Sequence, residues 1–211
     1  MHQWTGLSEN EKMRARMLAK LGYHAFALDI YGKGIRPQPP AAGKFAGKYK
    51  NDRKLYRQRL AAGLAQLKSL AKVSDNEVAA IGYCFGGTGV LEIARSGMPL
   101  AGRVSFQGSF GAADGLAANR ESLKTKLLVL HGADLRFVAY PGAVHAFTQK
   151  GARNENLRGA AYNATADKKS WKAMQDFFEA IFFRELRIEL PRGLTGLQFF
   201  TFRIAMSRGR A

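Results

Sequence analysis

Gly82-Tyr83-Cys84-Phe85-Gly86-Gly87 follows the apolar run Val78-Ala79-Ala80-Ile81 and precedes a helix-like stretch that ends at Gly97. A strand that turns this sharply into a helix holds the residue at the turn in strained backbone angles. Small residues on either side let strand and helix approach closely. The chain is thereby constrained to a fold in which a strand feeds directly into a covering helix. The same geometry displays Cys84 as a nucleophile. Cys84 is the only cysteine, so it has no internal disulfide partner and a cysteine metal cluster is excluded. The competing reading is an inert buried thiol, since free cysteine is among the most buried residue types. The strand before it and the helix after it favour the nucleophile.

The rest of the chain alternates helix and strand. Ser8-Glu9-Asn10-Glu11 is a capping box, followed by Met13, Met17, Leu18 and Leu21 at helical spacing, with Gly22 as the stop. Tyr23 to Ile30 reads as a mostly buried strand, and the Gly-, Pro- and Ala-rich Lys33 to Lys50 as a loop. Asp52 to Ala71 carries a leucine stripe at helical period. Strands are expected at Glu77–Tyr83, Arg103–Gln107, Lys126–Gly132 and Phe137–Tyr140. A strongly amphipathic helix is expected over Asp167 to Phe183. Alternating elements of this kind predict an α/β fold, a mostly parallel sheet with helices on both faces.

A chain of 211 residues with 46% apolar content suits one domain with a real core. One cysteine points to a reducing compartment, and residues 1–6 lack the regions of a signal peptide. No run approaches the roughly 18 apolar residues of a membrane helix. A cytoplasmic protein without membrane association is the expectation. The 33 basic residues give a net charge of +17, but they spread along the chain without a stripe or interleaved aromatics. Nucleic acid is therefore not the expected partner; acidic small molecules or nonspecific polyanions fit better.

His145 lies in Tyr140-Pro141-Gly142-Ala143-Val144-His145-Ala146-Phe147, on a loop beyond a late strand and downstream of Cys84. That placement suits a general base that takes the thiol proton. A helix N-terminus and a neighbouring imidazole predict a lowered thiol pKa for Cys84. His24 and His131 flank strands and read as structural.

Together with His2-Gln3-Trp4-Thr5-Gly6-Leu7 and Leu130-His131-Gly132-Ala133-Asp134, these motifs resemble the dienelactone hydrolase family of the α/β-hydrolase superfamily. The resemblance runs to about Phe183. It implies a hydrolase of lactones and carboxylic esters that uses a Cys–His–Asp triad and no cofactor or metal. By motif, Cys84 corresponds to the nucleophile, His145 to the base and Asp134 to the acid. The backbone N–H groups of Phe85 and Trp4 correspond to the oxyanion hole. Gln3 stands near the nucleophile where the family often has a glutamate, and Arg53, Arg57 or Arg59 would hold a substrate carboxylate.

Three departures shape the remaining expectations. The family's first strands are absent before His2, which predicts fraying at Trp4. Only residues 133–136 separate Gly132 from Phe137, too few for a helical crossover, which predicts an antiparallel or irregular join and a His145 displaced from Cys84. Residues 1–183 form the α/β domain. Residues 184–211, with six arginines, no lysine and the apolar run Leu197–Phe202, read as an extension of different origin, or else as a basic tail. The alternative to an ester or lactone hydrolase is a catalytically inactive, basic scaffold that binds polyanions.

Overall fold

The computed structural model describes residues 1–111, 126–132, 138–140, 142–153 and 159–182. The capping box operates: Ser8 caps α1 (Glu9–Lys20), with its side chain on a backbone N–H and Glu11 reaching back to Ser8. Helix α2 (Ala41–Asn51) lies within the stretch expected to be a loop. Proline and glycine dominate only its approach; Ala41, Ala42 and Ala46 are strong helix formers, and Ala42, Ala46 and Tyr49 turn into the core. Asp52 caps α3 (Arg53–Ala71) by accepting from Leu55 N–H.

Four strands follow, β1 (Ala79–Tyr83), β2 (Gly102–Phe106), β3 (Leu127–Gly132) and β4 (Val138–Tyr140), interleaved with α4 (Phe85–Arg95) and completed by α5 (Ala164–Phe182). They form one parallel sheet in the order β1-β2-β3-β4. Strand β1 shows the two-residue period of a covered strand: Ala79, Ile81 and Tyr83 pack toward α5, while Ala80 packs toward α3 and α4. One core therefore joins Tyr83, Phe106, Leu130, Phe147, Met174 and Phe178. The other, across the sheet, joins Ile30, Tyr49, Tyr56, Leu60 and Phe85.

Two expectations about the sheet are corrected. Tyr23–Ile30 is not a strand, and Phe26 is 38% exposed. A cavity of about 200 Å³, lined by Ala25–Leu28 on one side and Ala79–Ile81 on the other, lies between this segment and β1. A segment with no strand to pair with is not a sheet member, however apolar its sequence.

Strand β4, expected to be antiparallel or irregular, is parallel to β3, with Leu130 opposite Val138 and Gly132 opposite Tyr140. A full crossover is needed only where the chain returns along a whole strand. Here β4 pairs only with the end of β3, so the return is two residue steps, roughly 7 Å, plus one strand spacing of about 5 Å. The five residues 133–137 can span up to about 16–18 Å. Their own structure lies outside the described residues, as do Asp134 and the whole of 184–211.

Candidate active site

Cys84 is the N-cap of α4, with φ 52° and ψ −109°. The conformation is sterically unfavourable for a residue with a Cβ and persists because its surroundings over-determine it. Cys84 N–H donates to Phe106 O at 2.8 Å and Thr88 N–H donates to Cys84 O at 3.0 Å, so the turn is tied at once to β2 and into α4. Glycine is required on both sides. A Cβ at Gly82 would collide with Gly86 O, and one at Gly86 would stand 2.6 Å from Met1 O. That second approach brings the 2–4 segment against the elbow.

Where fraying was expected, the segment is hydrogen-bonded to the rest of the fold. Gly86 N–H donates to His2 O at 2.9 Å, and Tyr31 Oη donates to Trp4 O at 2.9 Å. The His2 ring is stacked on Phe85 and edge-on to Tyr31. The N–H groups of Phe85 and Trp4 both point at the Cys84 sulfur, which puts two backbone donors beside it. Gln3 is buried and lines the cavity that Cys84 faces.

His145 Nε2 lies 3.1 Å from Cys84 Sγ. The displacement expected from the short β3–β4 join does not occur, because β4 needs no full crossover and the loop beyond it is tied down independently. His145 O accepts Ala161 N–H at 3.0 Å, and Phe147 O accepts Asn163 N–H at 3.0 Å. The site thus brings together Cys84, His145 and the Phe85 and Trp4 amides.

The electrostatics differ from the sequence expectation. Burial pushes the Cys84 thiol above its ordinary range, and Lys50 together with the Phe85 and Trp4 N–H groups offset this only in part. The sulfur sits in a largely apolar enclosure where a lone anion is poorly solvated. His145 is pulled below the usual imidazole value, first by burial and then by His131 and Lys50. Both shifts favour the uncharged thiol and the uncharged imidazole over a thiolate–imidazolium pair.

The cavity at this pair has a volume of about 540 Å³ and is lined by Trp4, Lys50, Cys84, His145, Gln149 and Arg153 among others. Arg53, Arg57 and Arg59 are elsewhere. Arg57 pairs with Glu92 at 2.9 Å, Arg53 reaches Glu92 at 3.6 Å and donates to Gly111 O, and Arg59 donates to Ile30 O. The reason is packing: α3 lies against α4, and the fully buried Glu92 of α4 needs cations beside it. The cationic wall of the cavity is Lys50 and Arg153 instead. Lys50 belongs to α2, whose Gly- and Pro-rich approach hides the helix in the sequence, and nothing local marks Arg153. Among the described residues no helix is long and apolar enough to cross a membrane.

The model of the dienelactone hydrolase family matches residues 1–134 and 107–182, two overlapping pieces that together reach from Met1 to Phe182. The chain belongs to the dienelactone hydrolase family. A dienelactone hydrolase-like promiscuous phosphotriesterase from metagenomic libraries is 33% identical and superposes with a TM-score of 0.76 over 85% of this chain and 84% of that one. The structure named m3DLH is 30% identical, with a TM-score of 0.77 over 86% of this chain and 84% of its own. An uncharacterized protein of Caenorhabditis elegans is 27% identical over 146 residues, 59% of this chain and 92% of the relative. The fold is that of the α/β-hydrolases, and the family identifies the chain as a hydrolase.

Proposed function

We propose that this dienelactone hydrolase family member cleaves carboxylic esters and lactones through a covalent thioester on Cys84. The observation that carries the reading is the 3.1 Å contact between His145 Nε2 and Cys84 Sγ, beside the amides of Phe85 and Trp4. As Sγ attacks the carbonyl carbon, its proton passes to Nε2 and a carbon–sulfur bond forms. The Phe85 and Trp4 N–H groups hold the oxyanion; one such donor is worth about 2.7–4 kcal/mol where it has been removed. Collapse of the tetrahedral adduct breaks the carbon–oxygen bond, and imidazolium returns the proton to the leaving oxygen. Water then attacks the thioester while His145 takes its proton, releasing the acid and restoring the thiol.

A neutral thiol at rest is compatible with this chemistry, because proton transfer can accompany attack instead of preceding it. Lys50 and Arg153 on the cavity wall favour acyl groups that carry a negative charge. The phosphotriesterase activity of the metagenomic relative makes a phosphotriester the second electrophile to try.

The test is turnover of an activated ester and of an anionic lactone, with mass spectrometry of the protein quenched during turnover. An acyl adduct on Cys84 is expected, lost in Cys84→Ala. His145→Ala should lower turnover by about 10²–10⁴-fold, the range for a general base. Turnover that survives Cys84→Ala would overturn the reading.

A further inference from the structure

The loop that carries His145 is held by buried polar side chains that touch neither the cavity nor the sulfur. Gln107, directly after β2, is 4% exposed and has φ 56°. Its N–H donates to Leu130 O at 2.9 Å, which extends the β2–β3 ladder by one residue. Its side chain then turns toward the histidine loop. Ala146 N–H, next along from His145, donates to Gln107 Oε1 at 2.8 Å. Because an N–H can only donate, the amide oxygen must face Ala146, and the Nε2 group is left 3.5 Å from Thr148 Oγ1. Ala146 has φ 60°, a left-handed conformation in which alanine is strained. A loop in that state needs an external bond to keep it there.

A second anchor comes from α1. Arg14, 4% exposed, donates through Nη2 to Thr148 O at 3.0 Å and pairs with Asp167 of α5 at 2.6 Å. The strand end, the first helix and the last helix thus meet on residues 146–148.

We propose that Gln107 is a positioning residue for catalysis: its side-chain oxygen holds the Ala146 amide and so keeps His145 Nε2 aimed at Cys84. The proposal rests on the reading of His145 as the base. The choice of an amide has a chemical reason. A carboxylate at 107 could accept the same N–H, but its charge would favour imidazolium and leave the base protonated further up the pH scale. Glutamine supplies the acceptor without the charge.

Gln107→Leu and Gln107→Glu separate these roles. In Gln107→Leu, kcat for the activated ester should fall about 10–100-fold with KM little changed, as expected for a base displaced on the ångström scale. Gln107→Glu should recover most of kcat, with the acid limb of the pH–rate profile moved up by about one unit. The rate of Cys84 alkylation by iodoacetamide against pH gives a readout that needs no substrate. In the unsubstituted protein it should carry a limb that disappears in His145→Ala; that limb should be weakened in Gln107→Leu and moved upward in Gln107→Glu. If no ester is turned over, the hydrolase reading fails while the alkylation limb still tests the positioning. If Gln107→Leu does not fold, the upward shift in Gln107→Glu decides. Unchanged profiles in the folded variants, or a Gln107→Glu as slow as Gln107→Leu with no shift, would overturn the proposal.

Discussion

Cys84 stands at φ 52° and ψ −109°, a backbone state reached only because Gly82 and Gly86 leave room around it. The strain was legible in the sequence, since the strand, the turn and the small neighbours are all local. The protonation state was not. A helix N-terminus alone predicts a lowered thiol pKa, but burial outweighs it here and the thiol is pushed up. Folded Cys84 is therefore expected to react with iodoacetamide more slowly at pH 7 than the same thiol in denaturant. Its rate should keep climbing with pH beyond the range of an ordinary cysteine. A folded protein that reacts faster than the denatured chain would contradict the neutral resting thiol.

At the scale of elements, local signals succeeded where an element carries its own cap or period. The Ser8 box, the Asp52 cap and the amphipathic Ala164–Phe182 helix are such cases. They failed where partners decide. Tyr23–Ile30 has a strand's composition but lies across a cavity from β1, while α2 forms because its alanines and Tyr49 find a core to cover. The α3–α4 pair is another tertiary decision. Glu92 is fully buried and receives Arg57 and Arg95 at 2.9 and 2.8 Å, with Arg53 at 3.6 Å. Arg53 and Arg95 also bond the carbonyl oxygens of Gly111 and Phe110. Glu92→Ala would strand these cations around an empty position. A loss of about 3–5 kcal/mol in urea unfolding is expected, against little change for Glu9→Ala on the exposed face of α1. Equal effects of the two substitutions would show that the arginines find solvent without cost.

For the whole molecule, a buried titration at His2 couples the fold to pH. His2 is fully buried, and both ring nitrogens are in use: Nδ1–H donates to Gln3 O at 2.5 Å, and Nε2 accepts Ile30 N–H at 3.0 Å. A second ring proton would break the bond to Ile30. Burial accordingly lowers its pKa to about 4. In the unfolded chain an ordinary histidine titrates near 6.5, so between these values the unfolded state binds the proton first. The stability that neutral His2 contributes is present above about pH 6.5 and is lost as pH falls toward 4, by roughly 2–4 kcal/mol. His2→Gln should flatten that part of the stability–pH curve measured by denaturant unfolding. An unaltered slope would mean that another group carries it.

The sequence by itself determined the elbow, the cysteine it displays, the histidine loop and the α/β class, because each rests on residues adjacent in the chain or on a period within one element. It did not determine that β4 pairs with only the last residues of β3, which is why the short join still brings His145 to Cys84. Nor did it show that Gln107 and Arg14 hold the loop, or that Lys50 and Arg153, rather than Arg53, Arg57 and Arg59, face the cavity. Those outcomes depend on which distant groups share a burial environment. A side chain's role among such groups follows from the desolvation and hydrogen bonding of its neighbours in space, and only the packed structure sets these.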